Sequence, residues 1–167
     1  MTTYKITDFN KDIKRGKVGE QIFIDDFLKF LNINYEDVTG KQGFQIIDND
    51  FVAKIGMYEV KANYKDNKQI IIEEYTNCNE SFGKLSYGWF YKSKADTVVF
   101  ISKDTRAMIL IPFTDIFKAY YEKIKDNYSL IKNRVSQRGN NRWQSAFRII
   151  PLSAINGYFA YYKKVSP

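Results

Sequence analysis

The strongest constraint on this chain is a change in its hydrophobic period. In the run KVGEQIFIDDFLKFL (17–31), just after Gly16, the residues Ile24, Phe27, Leu28 and Leu31 recur with helical spacing and make one apolar stripe. Asn32 and Asn34 close it, and Tyr35 to Asp37 opens a short strand before a turn at Thr39-Gly40. Strand signals then take over. Gln45–Lys54, Met57–Tyr64 and Gln69–Tyr75 read as strands, separated by the turns Ile55-Gly56 and KDNK (65–68). A loop over 76–86 leads to a short helix at Tyr87–Lys94. Next come two buried strands, Thr97–Ser102 and Arg106–Ile111, on either side of a turn at Lys103-Asp104. Pro112 is placed to open a helix to about Asp126, and Tyr128–Val135 continues it. Ala146–Leu152 is a last strand, with Ser153 as cap of a short closing helix. The order α-β-β-β-α-β-β-α-β predicts an α/β fold, a central mixed sheet flanked by helices.

No repeat, low-complexity tract or Pro/Gly/Ser linker divides the 167 residues, so a single domain over 1–167 is expected. At 44% hydrophobic and 17% aromatic the chain has ample material for a core. It contains no His, which excludes a Ser-His-Asp triad, a Cys-His pair and His-ligated zinc. The lone Cys78 excludes an internal disulfide and fits a reducing compartment; with nothing to activate it, it reads as inert. No stretch approaches the roughly 20 apolar residues of a membrane span. The polar start, MTTYKITDFNKDIKRGK, does not resemble a signal peptide, so a cytoplasmic location away from membranes is expected.

Charge is unevenly spread. Residues 1–117 hold 16 Lys and Arg against 17 Asp and Glu, whereas residues 118–167 hold 10 against two. Lys132, Arg134, Arg138, Arg142 and Arg148 succeed one another without an intervening acid, interleaved with Asn140, Asn141, Trp143 and Gln144. Guanidinium groups suit bidentate phosphate contact, so this segment reads as an electrostatic footprint for nucleic acid, with Trp143 as a stacking candidate. Lys84 and Lys92, near Gly83 and Gly88, are further candidates for phosphate contact. Trp89, Phe90 and Tyr91 have aromatic faces for bases but fit a core equally well.

The chemistry concentrates in MYEVKAN (57–63). On a strand, Tyr58, Val60 and Ala62 share one face and Glu59 and Lys61 the other. Upstream, Asp48 and Asp50 share a face of the preceding strand. A hairpin at Ile55-Gly56 would bring Asp50 beside Glu59 and Lys61. Glu20 falls in line with the apolar stripe of the first helix, where a carboxylate is costly unless paired or ligating. Three acids and a lysine are thus expected to converge on one sheet face. Crowded carboxylates repel, and a hard divalent cation such as Mg²⁺ relieves them. The nearby ammonium can position water or stabilise developing charge. Glu73 and Glu74, one per face of the third strand, are expected at an edge or surface.

These residues resemble the PD-(D/E)XK phosphodiesterase superfamily, with its restriction-endonuclease-like fold and its Holliday-junction resolvases. GKVGE (16–20) resembles the family's first-helix Glu, IIDNDFV (46–52) its metal-binding Asp strand and YEVK (58–61) its (D/E)xK. SYGWFYKSKADTVVFI (86–101) resembles a later helix-strand segment. The likeness covers about residues 13–112, a catalytic core, and leaves 113–167 as a basic extension. It implies an α-β-β-β-α-β core and a Mg²⁺-dependent endodeoxyribonuclease in which Mn²⁺ substitutes. Asp50 and Glu59 would bind the metal, Glu20 would complete the site and Lys61 would assist the attacking water. Asn49 stands where the family has Pro, and Asp48 is an alternative to Asp50. The substrate would be duplex, branched or flapped DNA. A homodimer would serve both strands, and Lys, Ile, Asn and Tyr richness fits a phage or mobile element. The alternative is a nuclease-like fold that binds nucleic acid, or a protein partner, without cutting.

Overall fold

The structure, a computed structural model, describes residues 9–42, 49–63, 68–138 and 141–164. The elements are α1 (Phe9–Phe23), β1 (Tyr35–Asp37), β2 (Phe51–Ala53), β3 (Gly56–Asn63), β4 (Gln69–Asn77), β5 (Ser86–Tyr87), α2 (Trp89–Lys92), β6 (Thr97–Ser102), β7 (Met108–Pro112), α3 (Asp115–Ile124), β8 (Ile131–Lys132), β9 (Ser136–Arg138), β10 (Asn141–Trp143), β11 (Ala146–Pro151) and β12 (Ala160–Tyr162). The fold is α/β, as expected, but the strands are divided between layers. A six-stranded mixed sheet runs β1-β2-β3-β6-β7-β12, and a four-stranded antiparallel sheet runs β5-β4-β11-β8. β9 and β10 form a separate hairpin. Among the described residues no helix is long and apolar enough to cross a membrane.

In the larger sheet β1, β2 and β3 are antiparallel neighbours and β6 lies parallel to β3. Parallel neighbours need a long crossover. Here β4, β5 and α2 supply it, so the strand expected third in the central sheet, Gln69–Tyr75, belongs instead to the second layer. Both faces of β6 are covered, which is why TVVFIS is almost continuously apolar. Val98 and Phe100 pack with Ile70, Ile72 and Ile150 of the smaller sheet and with Phe117 and Tyr121 of α3. Val99 and Ile101 pack with Phe23, Phe27 and Leu28 on the opposite side. The two sheets share one core.

The helices differ from expectation in ways the backbone explains. α1 continues into a π-turn, Ile24–Leu28, in which the Lys29 N–H reaches back to the Ile24 carbonyl at 2.8 Å. The extra residue per turn rotates the downstream segment about the helix axis. The buried positions are therefore Ile22, Phe23, Phe27 and Leu28, while Leu31 turns out to solvent. Asp26 is carried inward and pairs with Arg106 at 2.6 Å. Pro112 ends β7 rather than opening a helix. α3 begins at Asp115, where the Thr114 Oγ1 accepts from the Phe117 N–H at 3.3 Å. Tyr128–Val135 is not helical; it crosses to the short strand β8.

α1 lies close on β3 because Gly19 has no side chain. A Cβ there would sit 3.0 Å from the Ala62 Cβ, whereas one at Gly16 would meet only the Glu20 Oε1 at 3.7 Å. Two glycines of one helix should therefore respond oppositely. Gly16→Ala is expected to stabilise by about 0.5–1 kcal/mol through helix propensity. Gly19→Val should destabilise by about 1–3 kcal/mol through overpacking against Ala62. Urea unfolding midpoints of the two variants check this.

Candidate active site

The site forms because β2 is short. It pairs with β3 only over Phe51↔Tyr58, Val52↔Met57 and Ala53↔Gly56. Beyond Tyr58, among the described residues, this edge of β3 has no further strand partner, and a side chain takes over. The Asp50 N–H donates to the Tyr58 carbonyl at 2.9 Å, and the Val60 N–H donates to the Asp50 Oδ2 at 2.7 Å. Asp50 thus stands at the strand edge, held through one carboxylate oxygen.

Glu59 and Lys61 point to the face of β3 that carries Val98 and Phe100 on β6. Glu59 is buried and ion-paired with Lys61. The Lys61 Nζ also lies 5.3 Å from the Trp89 ring centroid, so a carboxylate and an aromatic face together fix the ammonium. Glu20 reaches the same edge from the opposite side, on the helix that rests on Ala62. Its pKa is raised, first by burial and then by Asp50 and Asp37, while Lys17 and Lys61 pull the other way. The four expected residues are therefore distributed around a strand edge rather than gathered on one sheet face: Asp50 at the edge, Glu20 on one side, Glu59 and Lys61 on the other. Asp48 lies outside the described residues.

The carboxylate oxygens of Glu20 and Asp50 are donors of the type a hard cation takes. Glu20 and Asp50 are close enough to raise the energy of the ionised Glu20, the conflict a divalent ion relieves. A further oxygen donor went unnoticed in the sequence. Asn49 is buried, its Nδ2 contacts the Met57 Sδ at 3.3 Å, and its Oδ1 has no hydrogen-bond partner. Met57 alternates with Glu59 and Lys61 on β3, so Asn49 lies on their side. The only sequence signal was Asn in place of Pro. Among the described residues, no three Asp, Glu or Cys side chains are close enough together to hold one ion.

The basic segment is divided. Lys132, Arg134 and Arg142 are exposed and Trp143 is half-buried. Arg138 is on β9, opposite Asn141, and its side chain lies outside the described residues. Gln144 anchors the base of the β9–β10 hairpin, its N–H donating to the Asn77 Oδ1 and its Nε2 to the Asn133 carbonyl. Arg148 corrects the sequence reading. It is turned inward, where its Nε donates to the Glu74 Oε1 at 2.8 Å, another guanidinium nitrogen meets Asp126 and a third meets the Tyr128 carbonyl. Tyr121 completes the group, its hydroxyl donating to the same Glu74 oxygen at 2.6 Å. Burial and Glu74 raise the pKa of that hydroxyl. Glu74 is thus neither an edge nor a surface residue but the acceptor of an internal polar network, and Arg148 ties β11 to it. Lys84 and Lys92 are exposed. Trp89 and Phe90 are core residues.

No family model, curated protein or solved structure matches the chain.

Glu20 gives a pH test. Its folded-state pKa is raised, so the folded chain keeps that proton where the unfolded chain has lost it. Stability therefore falls as pH climbs from the ordinary value of 4.5 through the raised one, and the full deficit persists above it. Glu20→Gln removes that deficit. In metal-free buffer it should melt above wild type at about pH 8, with the gap closing by about pH 4. Thermal melts of both proteins across pH check this.

Proposed function

We propose that this chain is a metal-dependent endodeoxyribonuclease of the PD-(D/E)XK kind. The observation that carries the reading is the strand edge around which Asp50, the Glu59–Lys61 pair and the strained carboxyl of Glu20 are distributed. The element order supports it. Within the larger sheet and its helices, α1, β1, β2, β3, α2 and β6 give α-β-β-β-α-β once β4 and β5, which belong to the smaller sheet, are set aside; the Asp stands just before the second strand and Glu-x-Lys lies on the third.

Asp50 would be the main ligand of Mg²⁺ or Mn²⁺, with Glu20 as the second carboxylate coupled to it; Glu59, already paired with Lys61, would join only by giving up that partner. When bound, the ion supplies neutralisation of phosphate charge and a more acidic water. Lys61, held by Glu59 and the Trp89 ring, would orient the attacking water or donate to a phosphoryl oxygen. Lys132, Arg134 and Arg142 would hold the DNA backbone. A homodimer would present two sites to the two strands of a duplex, and a cytoplasmic setting suits the free thiol of Cys78. One observation favours a binding-only reading: Glu59 already has Lys61 as its counter-charge.

Plasmid DNA distinguishes the two readings. Wild type should nick or linearise it with Mg²⁺ or Mn²⁺ and not with EDTA. Lys61→Ala and Asp50→Asn should lose that activity by about a hundredfold or more, the scale of an electrostatic catalytic group. Retained salt-sensitive DNA binding without cleavage by wild type would favour the binding-only reading.

A further inference from the structure

We infer that Tyr75, Tyr87 and Tyr91 form a stacking platform for an unpaired DNA strand beside the candidate active site, a reading of substrate class that rests on the nuclease proposal. The three rings form a continuous row. Tyr75 and Tyr87 are cross-strand partners stacked at 5.9 Å with 27° between planes, and Tyr87 meets Tyr91 at 5.1 Å. The row is open to solvent, with Tyr87 54% and Tyr91 36% exposed.

The platform is held in place before any ligand arrives. The Gly88 N–H donates to the Glu74 carbonyl at 2.7 Å, and a Cβ at Gly88 would fall 2.4 Å from the Glu73 carbonyl oxygen, so β5 is clasped to β4 at this point. The Thr76 hydroxyl donates to the Tyr87 carbonyl at 3.0 Å. The Tyr91 hydroxyl donates to Glu122 at 2.7 Å and accepts from the Lys125 Nζ at 3.2 Å. Rings fixed in this way lose little freedom when a base stacks on them.

The row is flanked by three lysines and one acid, Glu122, which pairs with Lys125 at 2.6 Å. Lys92 lies beside the row, its Nζ donating to Thr76 at 3.4 Å; Lys125 sits 5.9 Å from the Tyr91 ring; and Lys84 precedes β5. Aromatic faces bordered by ammonium groups bind unpaired nucleic acid without regard to sequence. A duplex does not suit them, because its base faces are already stacked on one another. The platform also adjoins the chemistry. Trp89, between Tyr87 and Tyr91 in the chain, turns inward and places its ring under Lys61. A strand lying on the tyrosines would pass one short element away from that ammonium.

The test is fluorescence anisotropy in EDTA with a fluorescein-labelled oligothymidine and a labelled blunt duplex. Wild type should bind the single strand more tightly than the duplex. Tyr87→Leu should weaken single-strand binding by about tenfold or more, the scale of one lost base stack, and leave duplex binding within about twofold. Tyr87→Phe should behave as wild type. Tyr91→Leu, scored in the same way, covers the case in which Tyr87→Leu melts early. Equal weakening for both DNAs, or none for either, would overturn the platform. The nuclease proposal fails separately. Loss of single-strand binding in Tyr87→Leu with no metal-dependent cleavage by wild type would keep the platform and remove the nuclease. Lys61-dependent cleavage with unchanged binding by Tyr87→Leu and Tyr91→Leu would do the reverse.

Discussion

Everything at the candidate site depends on one hydrogen bond, from the Val60 N–H to the Asp50 carboxylate. A backbone donor at a strand edge must be satisfied. Because β2 pairs with only three residues of β3, it offers no carbonyl to this donor, and a charged side chain accepts instead. That substitution puts an acid at the edge of β3 next to Glu59, whose own burial demands the Lys61 counter-charge. It also leaves the edge open to Glu20, which α1 can bring near only because Gly19 lets the helix rest on Ala62. A short strand, a missing side chain and a buried ion pair thus act together. Each is a local cost in stability, and the surrounding core offsets it.

That core is a sandwich of unlike layers. The six-stranded sheet has α1 on one face and the smaller sheet with α3 on the other, so β6 is covered twice. The smaller sheet acts as the crossover that parallel β3 and β6 require, and its strands β4 and β11 meet at the Glu74–Arg148 pair. Removing Arg148 would leave the buried Glu74 carboxylate without its counter-charge, whereas removing Glu74 would leave Arg148 with Asp126 alone. The basic stretch therefore combines two kinds of cation. Arg148 is bound into the interior, while Lys132, Arg134 and Arg142 are exposed to solvent.

Strands with a strong period were legible in the sequence: β3, β6, β7 and β11 stand within a few residues of where the pattern puts them, whereas α1 starts at Phe9, well ahead of the expected run 17–31. Sequence spacing could not show which strands share a sheet. Gln69–Tyr75 has the composition of any buried strand, and only its pairing with β11 assigns it to the second layer. The π-turn was equally hidden, since one extra residue per turn leaves no mark in composition, yet it moves Leu31 outward and Asp26 inward. Residues 128–135 have helix-compatible side chains, but the chain crosses there to reach β8. At the site, Glu59-x-Lys61 and Asp50 were legible because alternation along a strand fixes relative facing. Their distribution around an edge was not, because that depends on where β2 stops. Arg148 was misplaced for a related reason: charge counts do not reveal which cation has a buried acid opposite it.

The nuclease reading requires this strand edge to hold a divalent cation. The most direct measurement is calorimetric titration of Mn²⁺ into wild type and into Asp50→Asn, at neutral pH and again at about pH 5, where the raised Glu20 carboxyl holds its proton more fully. Saturable binding by wild type is expected, weaker at the lower pH, with its loss in Asp50→Asn. Absence of binding by wild type, or binding that Asp50→Asn leaves unchanged, would contradict the metal site.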